Sequence, residues 1–102
     1  MKSTSVLTVS TDLYLIDDII LHPNEGFDLG LINPVTPVKF FANATVEAFN
    51  SSTGEFYNGH LLLKNQCKNG TAQLGKKIYK RLGMPAKIKL FYDQDKVLIS
   101  IC

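Results

Sequence analysis

Hydrophobic and polar positions change their spacing several times along this chain, and each change marks a predicted element. Ile88, Leu90 and Tyr92 alternate with Lys87, Lys89 and Phe91, the two-residue period of a half-buried strand. Asp93-Gln94-Asp95-Lys96 then reads as a tight turn, and Val97 to Ile101 returns as an apolar strand. Upstream, Leu74, Ile78 and Leu82 fall at i, i+4 and i+8. That stripe predicts a helix from about Ala72 to Leu82 with Thr71 as its N-cap and Lys76, Lys77, Lys80 and Arg81 facing water. Gly83 stands where a C′ glycine belongs, and Pro85 prevents the helix from resuming. Before it, Glu55 to Lys64 reads as a strand-like stretch interrupted by the turn pair Asn58-Gly59. The second half therefore reads strand, helix, strand, strand.

The first half carries a fainter version of the same order. At an offset of 50 residues, Val38-Lys39-Phe40-Phe41 lies on Ile88-Lys89-Leu90-Phe91, and Ile32-Asn33 lies on Leu82-Gly83. With one residue of slippage, Val46 to Phe49 lies on Val97 to Ser100. Tyr14 to Leu21 would be the leading strand. The intervening stretch from Asn24 to Ile32 holds Gly26 and Gly30, each costing about 1 kcal/mol against Ala in a helix, so at most two helical turns are expected there. The predicted fold class is α+β: a tandem duplication of two βαββ-like units, 1–52 and 53–102, packed as a single domain over 1–102 with a pseudo-two-fold axis. Residues 38–49 and 88–101 would be its equivalent hairpins.

Strand, turn, Gly70, a helix ending in Leu82-Gly83, then Ile88 to Tyr92, an Asp-rich turn and Val97 to Ile101: this run resembles the swapped-hairpin unit of transition-state-regulator (AbrB-type) proteins. The resemblance covers residues 61–101. It implies two units intertwined in one barrel, and many members of that family bind DNA. Carried over position by position, the DNA-contacting residues fall on Lys64, Thr71, Tyr79 and Lys80, of which only two are basic, with Lys76, Lys77 and Arg81 close by. The corresponding stretch of the first half, Ile20 to Asn33, holds no Lys or Arg. The resemblance therefore speaks for the fold more than for the activity. Length, paired units and the lack of an enzyme motif also resemble small tandem-repeat proteins of filamentous viruses of hyperthermophilic archaea, which implies the host cytoplasm as location.

Composition adds bounds. At 102 residues and 45% apolar, the protein has the size and character of one globular domain. No apolar run is long enough for a membrane-spanning helix, and after Lys2 the polar residues Ser3, Thr4, Ser5, Thr8 and Ser10 interrupt any signal-peptide core. An intracellular protein with an N-terminal strand and no membrane partner is expected. The net charge of +2 hides a split. Residues 1–59 hold two basic and seven acidic side chains, a net −5; residues 60–102 hold nine and two, a net +7. Such a dipolar molecule orients in the field of a charged partner. Cys67 and Cys102 leave room for a single disulfide but make no framework, and His60 with Cys67 lacks further ligands, so no metal or other cofactor is expected. The triplets at Asn43, Asn50 and Asn69 read as turns.

No arrangement of residues points to catalysis. His22 precedes Pro23 in a turn, neither histidine has a nucleophile at motif spacing, and adjacent Asp17 and Asp18 point to opposite faces of a strand. Gly70 to Lys77 fails the phosphate-loop spacing. A non-enzymatic protein–protein interaction module is the first expectation, a monomer or homodimer binding an extended peptide or partner protein in the groove between its two units. Phe41, Phe49, Tyr57, Phe91 and Tyr92 are the candidate contacts. The alternative is a DNA-binding, regulator-like protein using Lys64, Lys76, Lys77, Lys80 and Arg81, with Tyr79 interleaved.

Overall fold

The computed structural model describes residues 2–12, 17–42, 44–53 and 55–102. In sequence order the elements are β1 (Lys2–Ser3), β2 (Leu7–Asp12), β3 (Ile19–Leu21), α1 (Pro23–Asp28), β4 (Val35–Ala42) and α2 (Val46–Asn50). They continue with β5 (Tyr57–Leu63), β6 (Thr71–Gly75), α3 (Lys76–Arg81), β7 (Lys87–Asp93) and β8 (Lys96–Ile101). Seven strands close on themselves in the order β7-β2-β6-β3-β5-β4-β8, with β8 pairing back to β7. β1 lies on the same edge of β7 as β2: Ser3 faces Phe91 and Leu7 faces Ile88. One extra residue between those two pairings makes a bulge. Buried Thr4 fills it. Its N–H donates to Leu90 O (2.9 Å), its Oγ1 accepts from Leu90 N–H (3.1 Å), and the hydroxyl donates to Ser5 O (2.7 Å).

Period-two alternation sends Leu7, Ile19, Leu21, Phe40, Leu61, Leu74, Ile88, Leu90 and Val97 into the barrel, all without exposed surface. β3 and β6 are antiparallel neighbours, so α1 and α3, which follow them, leave at opposite ends. Leu29 and Leu31 after α1, and Ile78 and Leu82 of the α3 region, join the core from those ends. Each helix is short and closes with paired backbone bonds to its C2 and C3 carbonyls: Gly30 and Leu31 for α1, Ser52 and Thr53 for α2, Gly83 and Met84 for α3. Gly30 and Gly83 take φ of 77° and 78°, as a C′ glycine does at no steric cost. At α2 the same position is a serine, Ser52, with φ of 57°.

The α+β reading as two packed βαββ units is overturned. Of the eight ladders among the described residues, seven join a strand from before residue 52 to one after it, and β7–β8 alone stays within one half. The halves are interleaved in one closed barrel, so the described residues leave no groove running between two separately packed units. The expected hairpin at 38–49 does not form either. β4 pairs with β5 and β8, and 46–50 is helix, capped by Thr45 Oγ1 accepting from Ala48 N–H at 3.1 Å. The helix expected over 72–82 is half strand: Thr71–Gly75 pairs on both sides, with β2 and β3, and only Lys76–Arg81 is helical. Asn58-Gly59 is no turn but part of β5, its second and third residues. α1, under two turns, has the length its glycines predict. Of the expected strand from Tyr14 to Leu21, residues 14–16 lie outside the described residues and Ile19–Leu21 is β3. None of the described helices is long and apolar enough to cross a membrane.

Candidate binding groove on the outer barrel face

β4 and β8 run parallel with Lys39 opposite Lys96, Phe40 opposite Val97 and Phe41 opposite Leu98. Alternation turns Phe40 and Val97 inward and leaves Phe41 and Leu98 on the outside, where water would meet them. α2 covers that spot. Its Phe49 meets Phe41 edge-to-face at 5.5 Å between centroids, and Phe56 lies tilted against Phe41 at 5.7 Å. Lys96 ties the helix end down: its Nζ donates to Phe49 O (2.9 Å) and Ser52 Oγ (3.1 Å) and sits 5.1 Å above the Phe49 ring. Lys39 Nζ lies 5.0 Å above the Phe56 ring.

Beside this platform is an open groove of about 640 Å³ with three walls. Ser52 at the end of α2 forms the first. Gln94 and Asp95 of the β7–β8 turn form the second. Pro37 to Lys39 of β4 with Asn58 to His60 of β5 form the third. The turn is a two-residue hairpin connection in which both central residues have positive φ, 46° at Gln94 and 66° at Asp95; strand twist asks for that geometry, usually from Asn-Gly. Asp95 O accepts from Lys39 N–H (2.9 Å), and Asp95 Oδ1 accepts from the Tyr92 hydroxyl (3.3 Å). On β5, Asp18 Oδ1 accepts from His60 N–H at 2.9 Å and lies 3.2 Å from His60 Nδ1.

β8 begins opposite Lys39, so among the described residues the first half of β4 has β5 on one side and no strand on the other. Leu63 N–H donates to Pro34 O, which puts the even-numbered residues of β4 in hydrogen-bonding register with β5 and turns the odd ones the other way. Val35 and Pro37 thus turn backbone groups away from β5, Pro37 toward the groove, as Lys39 presents its N–H to Asp95. Pro37 has no N–H to offer, a common way to blunt an exposed edge.

The five aromatics expected to floor one cleft fall on two sides of the barrel wall. Tyr57 and Tyr92 pack against the interior core, while Phe41, Phe49 and Phe91 belong to the outer cluster with Leu98. Phe41 and Phe49 are 1% and 0% exposed, so a partner cannot touch them. The basic residues are also divided. Lys76, Lys77, Lys80 and Arg81 are exposed on α3, but Lys77 Nζ and the Arg81 guanidinium lie 5.7 and 5.6 Å from the Tyr57 ring. Arg81 is further held by Glu55, whose hydrogen bond and charge raise its pKa. Lys64 stands past the far end of β5, about 20 Å from Tyr57 along the strand. Cys67 is buried with its Sγ 3.4 Å from Thr71 O, Cys102 is exposed, and both are free thiols. Among the described residues no cluster of His, Cys, Asp and Glu is arranged to hold a metal ion.

Sequence reasoning did not single out Lys39, Ser52, Asn58, Gln94, Asp95 or Lys96 as site residues. One signal was legible: a two-residue hairpin turn written Gln-Asp where Asn-Gly is favoured. No protein-family model, no curated protein and no solved structure matches this sequence.

Proposed function

We propose that this protein is a non-enzymatic binding module that holds an extended segment of a partner protein in the groove between α2, β4–β5 and the β7–β8 turn. One observation carries the reading. Among the described residues four non-glycine residues have positive φ, and three of them, Ser52, Gln94 and Asp95, line this groove. A left-handed conformation costs an ordinary L-residue such as Ser52 or Gln94 about 1–2 kcal/mol relative to right-handed backbone, and an aspartate such as Asp95 less. Glycine would remove that cost at each position, as Gly30 and Gly83 do at the equivalent ends of α1 and α3. Strain that converges on one depression, and keeps side chains there, is the signature of a site. The open edge of β4 adds main-chain groups with which an extended segment pairs.

The test is selection of a displayed library of random short peptides on the wild-type protein and on Asn58→Trp, which fills the groove from an exposed position. Peptides should enrich on the wild type only, and should shift the backbone amide NMR signals of Lys39, Asn58 and Asp95. Enrichment of no peptide, or shifts confined to Lys76–Arg81, would overturn the reading.

A further inference from the structure

We infer that the partner segment is recognised through a carboxylate seated between Lys39 and Lys96, an inference that rests on the groove being a protein-binding site. The two lysines are direct register partners on neighbouring strands, and both side chains leave the outer face beside the same groove. Like charges directly opposite one another destabilise a sheet. Every other lysine of the described ladders faces an uncharged residue: Lys2 faces Tyr92, Lys87 faces Thr8 and Lys89 faces Ser100, while Lys96 itself has Asp93 on its far side. Lys96 nevertheless turns from Asp93 toward Phe49 O and Ser52 Oγ, both neutral acceptors. Lys39 rests on a ring. The ion pairs among the described residues are His60–Asp18 and Arg81–Glu55, so neither groove ammonium meets a carboxylate.

An anion placed between them converts the repulsion into two charge-assisted hydrogen bonds. Asn58, opposite Lys39 on β5, supplies a neutral amide donor at the same level. The anion's identity follows from what rims the groove. Asp95 lines it, and Asp18 stands behind His60; both repel a multiply charged phosphate backbone, whereas one carboxylate facing two ammoniums is balanced. The ligand is therefore the carboxylate of a polypeptide, from an Asp or Glu side chain or from the free C-terminus.

The same peptide selection, run with the peptides' C-termini free and then blocked, separates those two sources. Peptides enriched on the wild type should carry Asp or Glu at one fixed position, or should depend on the free C-terminus. Replacing that carboxylate by its amide should weaken binding about five- to tenfold. Lys39→Gln should weaken the acidic peptide by a similar factor and the amide version hardly at all. Lys39 is chosen because its ammonium rests on the Phe56 ring and makes no hydrogen bond or ion pair among the described residues; Lys96→Gln would also release the end of α2. Peptides that bind the groove with equal affinity in acid and amide form overturn this inference and leave the peptide-binding reading standing. Selection of no peptide, or groove-amide shifts produced by a duplex oligonucleotide and by no peptide, overturns both.

Discussion

Gly59→Ala is the substitution this barrel should tolerate least. Gly59 is buried in β5 opposite Val38, and its inward-facing position in the period-two pattern would carry a side chain into the barrel. That space is taken. A Cβ built there would run into the carbonyl oxygen of Asp17 and come within 2.8 Å of Phe40 Cε2 and 3.0 Å of the Asp17 carbonyl carbon. Phe40 is fully buried and cannot swing away. The Asp17 carbonyl belongs to backbone pinned one residue later, where Asp18 Oδ1 accepts from His60 N–H and Asp18 O accepts from Gly75 N–H, both at 2.9 Å. Relief therefore requires giving up one or both of those bonds, at about 1 kcal/mol each, besides the 1–3 kcal/mol typical of overpacking. The expected loss is about 2–5 kcal/mol. A domain of this size has on the order of 5–15 kcal/mol in total.

Gly26→Ala is the internal comparison. Its added Cβ would also meet close neighbours, Leu63 Cδ2 at 2.5 Å and Cδ1 at 2.6 Å, but these are the tips of a half-buried side chain that can rotate. The substitution also gains about 1 kcal/mol of helix propensity within α1. Its net effect should lie within about 1 kcal/mol of zero. Urea denaturation followed by circular dichroism measures both variants; the protein has no tryptophan for fluorescence. An unchanged slope against denaturant confirms a shared two-state transition. A Gly59→Ala protein within 1 kcal/mol of wild type, or a Gly26→Ala protein as damaged as Gly59→Ala, would refute the packing argument.

Three further outcomes are expected. Thr4→Val leaves the buried Leu90 N–H without its side-chain acceptor and should cost about 1–3 kcal/mol in the same denaturation assay; a neutral result would mean the bulge is not held by that hydroxyl. Ser52→Gly relieves a left-handed serine but removes the Lys96 hydrogen bond, so stability should move by less than about 1 kcal/mol while affinity for a groove-selected peptide falls; unchanged affinity would deny Ser52 a role in the site. Burial, with Glu25 adding, raises the Cys67 thiol pKa, and burial likewise raises Tyr92. Both native values lie above the unfolded ones, so stability should be full below about pH 8.5 and fall as pH rises through the native values. Cys67→Ala should flatten the first part of that fall, and an identical pH profile would contradict it.

What could be read from the sequence was local, and what could not was set by contacts between distant residues. The β7–β8 hairpin follows from alternation on both sides of a polar turn, and Gly83 ends α3 as its position predicts. Thr71 to Gly75 satisfies two periods at once. Leu74 belongs to the stripe Leu74-Ile78-Leu82, and Ala72 and Leu74 also alternate with Thr71 and Gln73. The decision came from elsewhere, because β2 and β3 each offer this stretch a ladder and an isolated helix of that length is marginal. At 46–50 the local signal was sufficient and was overridden by the alignment with 97–100: Thr45 is an N-cap residue and Glu47 suits a first turn.

The groove was less legible than the fold, for a physical reason. Asn58-Gly59 reads as a turn from its residue types, yet Gly59 is glycine because the Asp17 carbonyl presses against it from a distant part of the sequence. Lys39 and Lys96 are ordinary surface lysines until a parallel register between β4 and β8 sets them side by side. That register exists only because β8 runs between β4 and β7 to close the barrel. The same insertion starts too late to cover Val35 and Pro37, leaves Phe41 and Leu98 for α2 to bury, and brings the Gln94-Asp95 turn against β4. One strand placement thus produces the paired charges, the open edge and the strained rim together. A change that shifted β8 along β4 by a single residue would turn Leu98 inward and Val97 outward, dismantling the aromatic platform and the groove in one step.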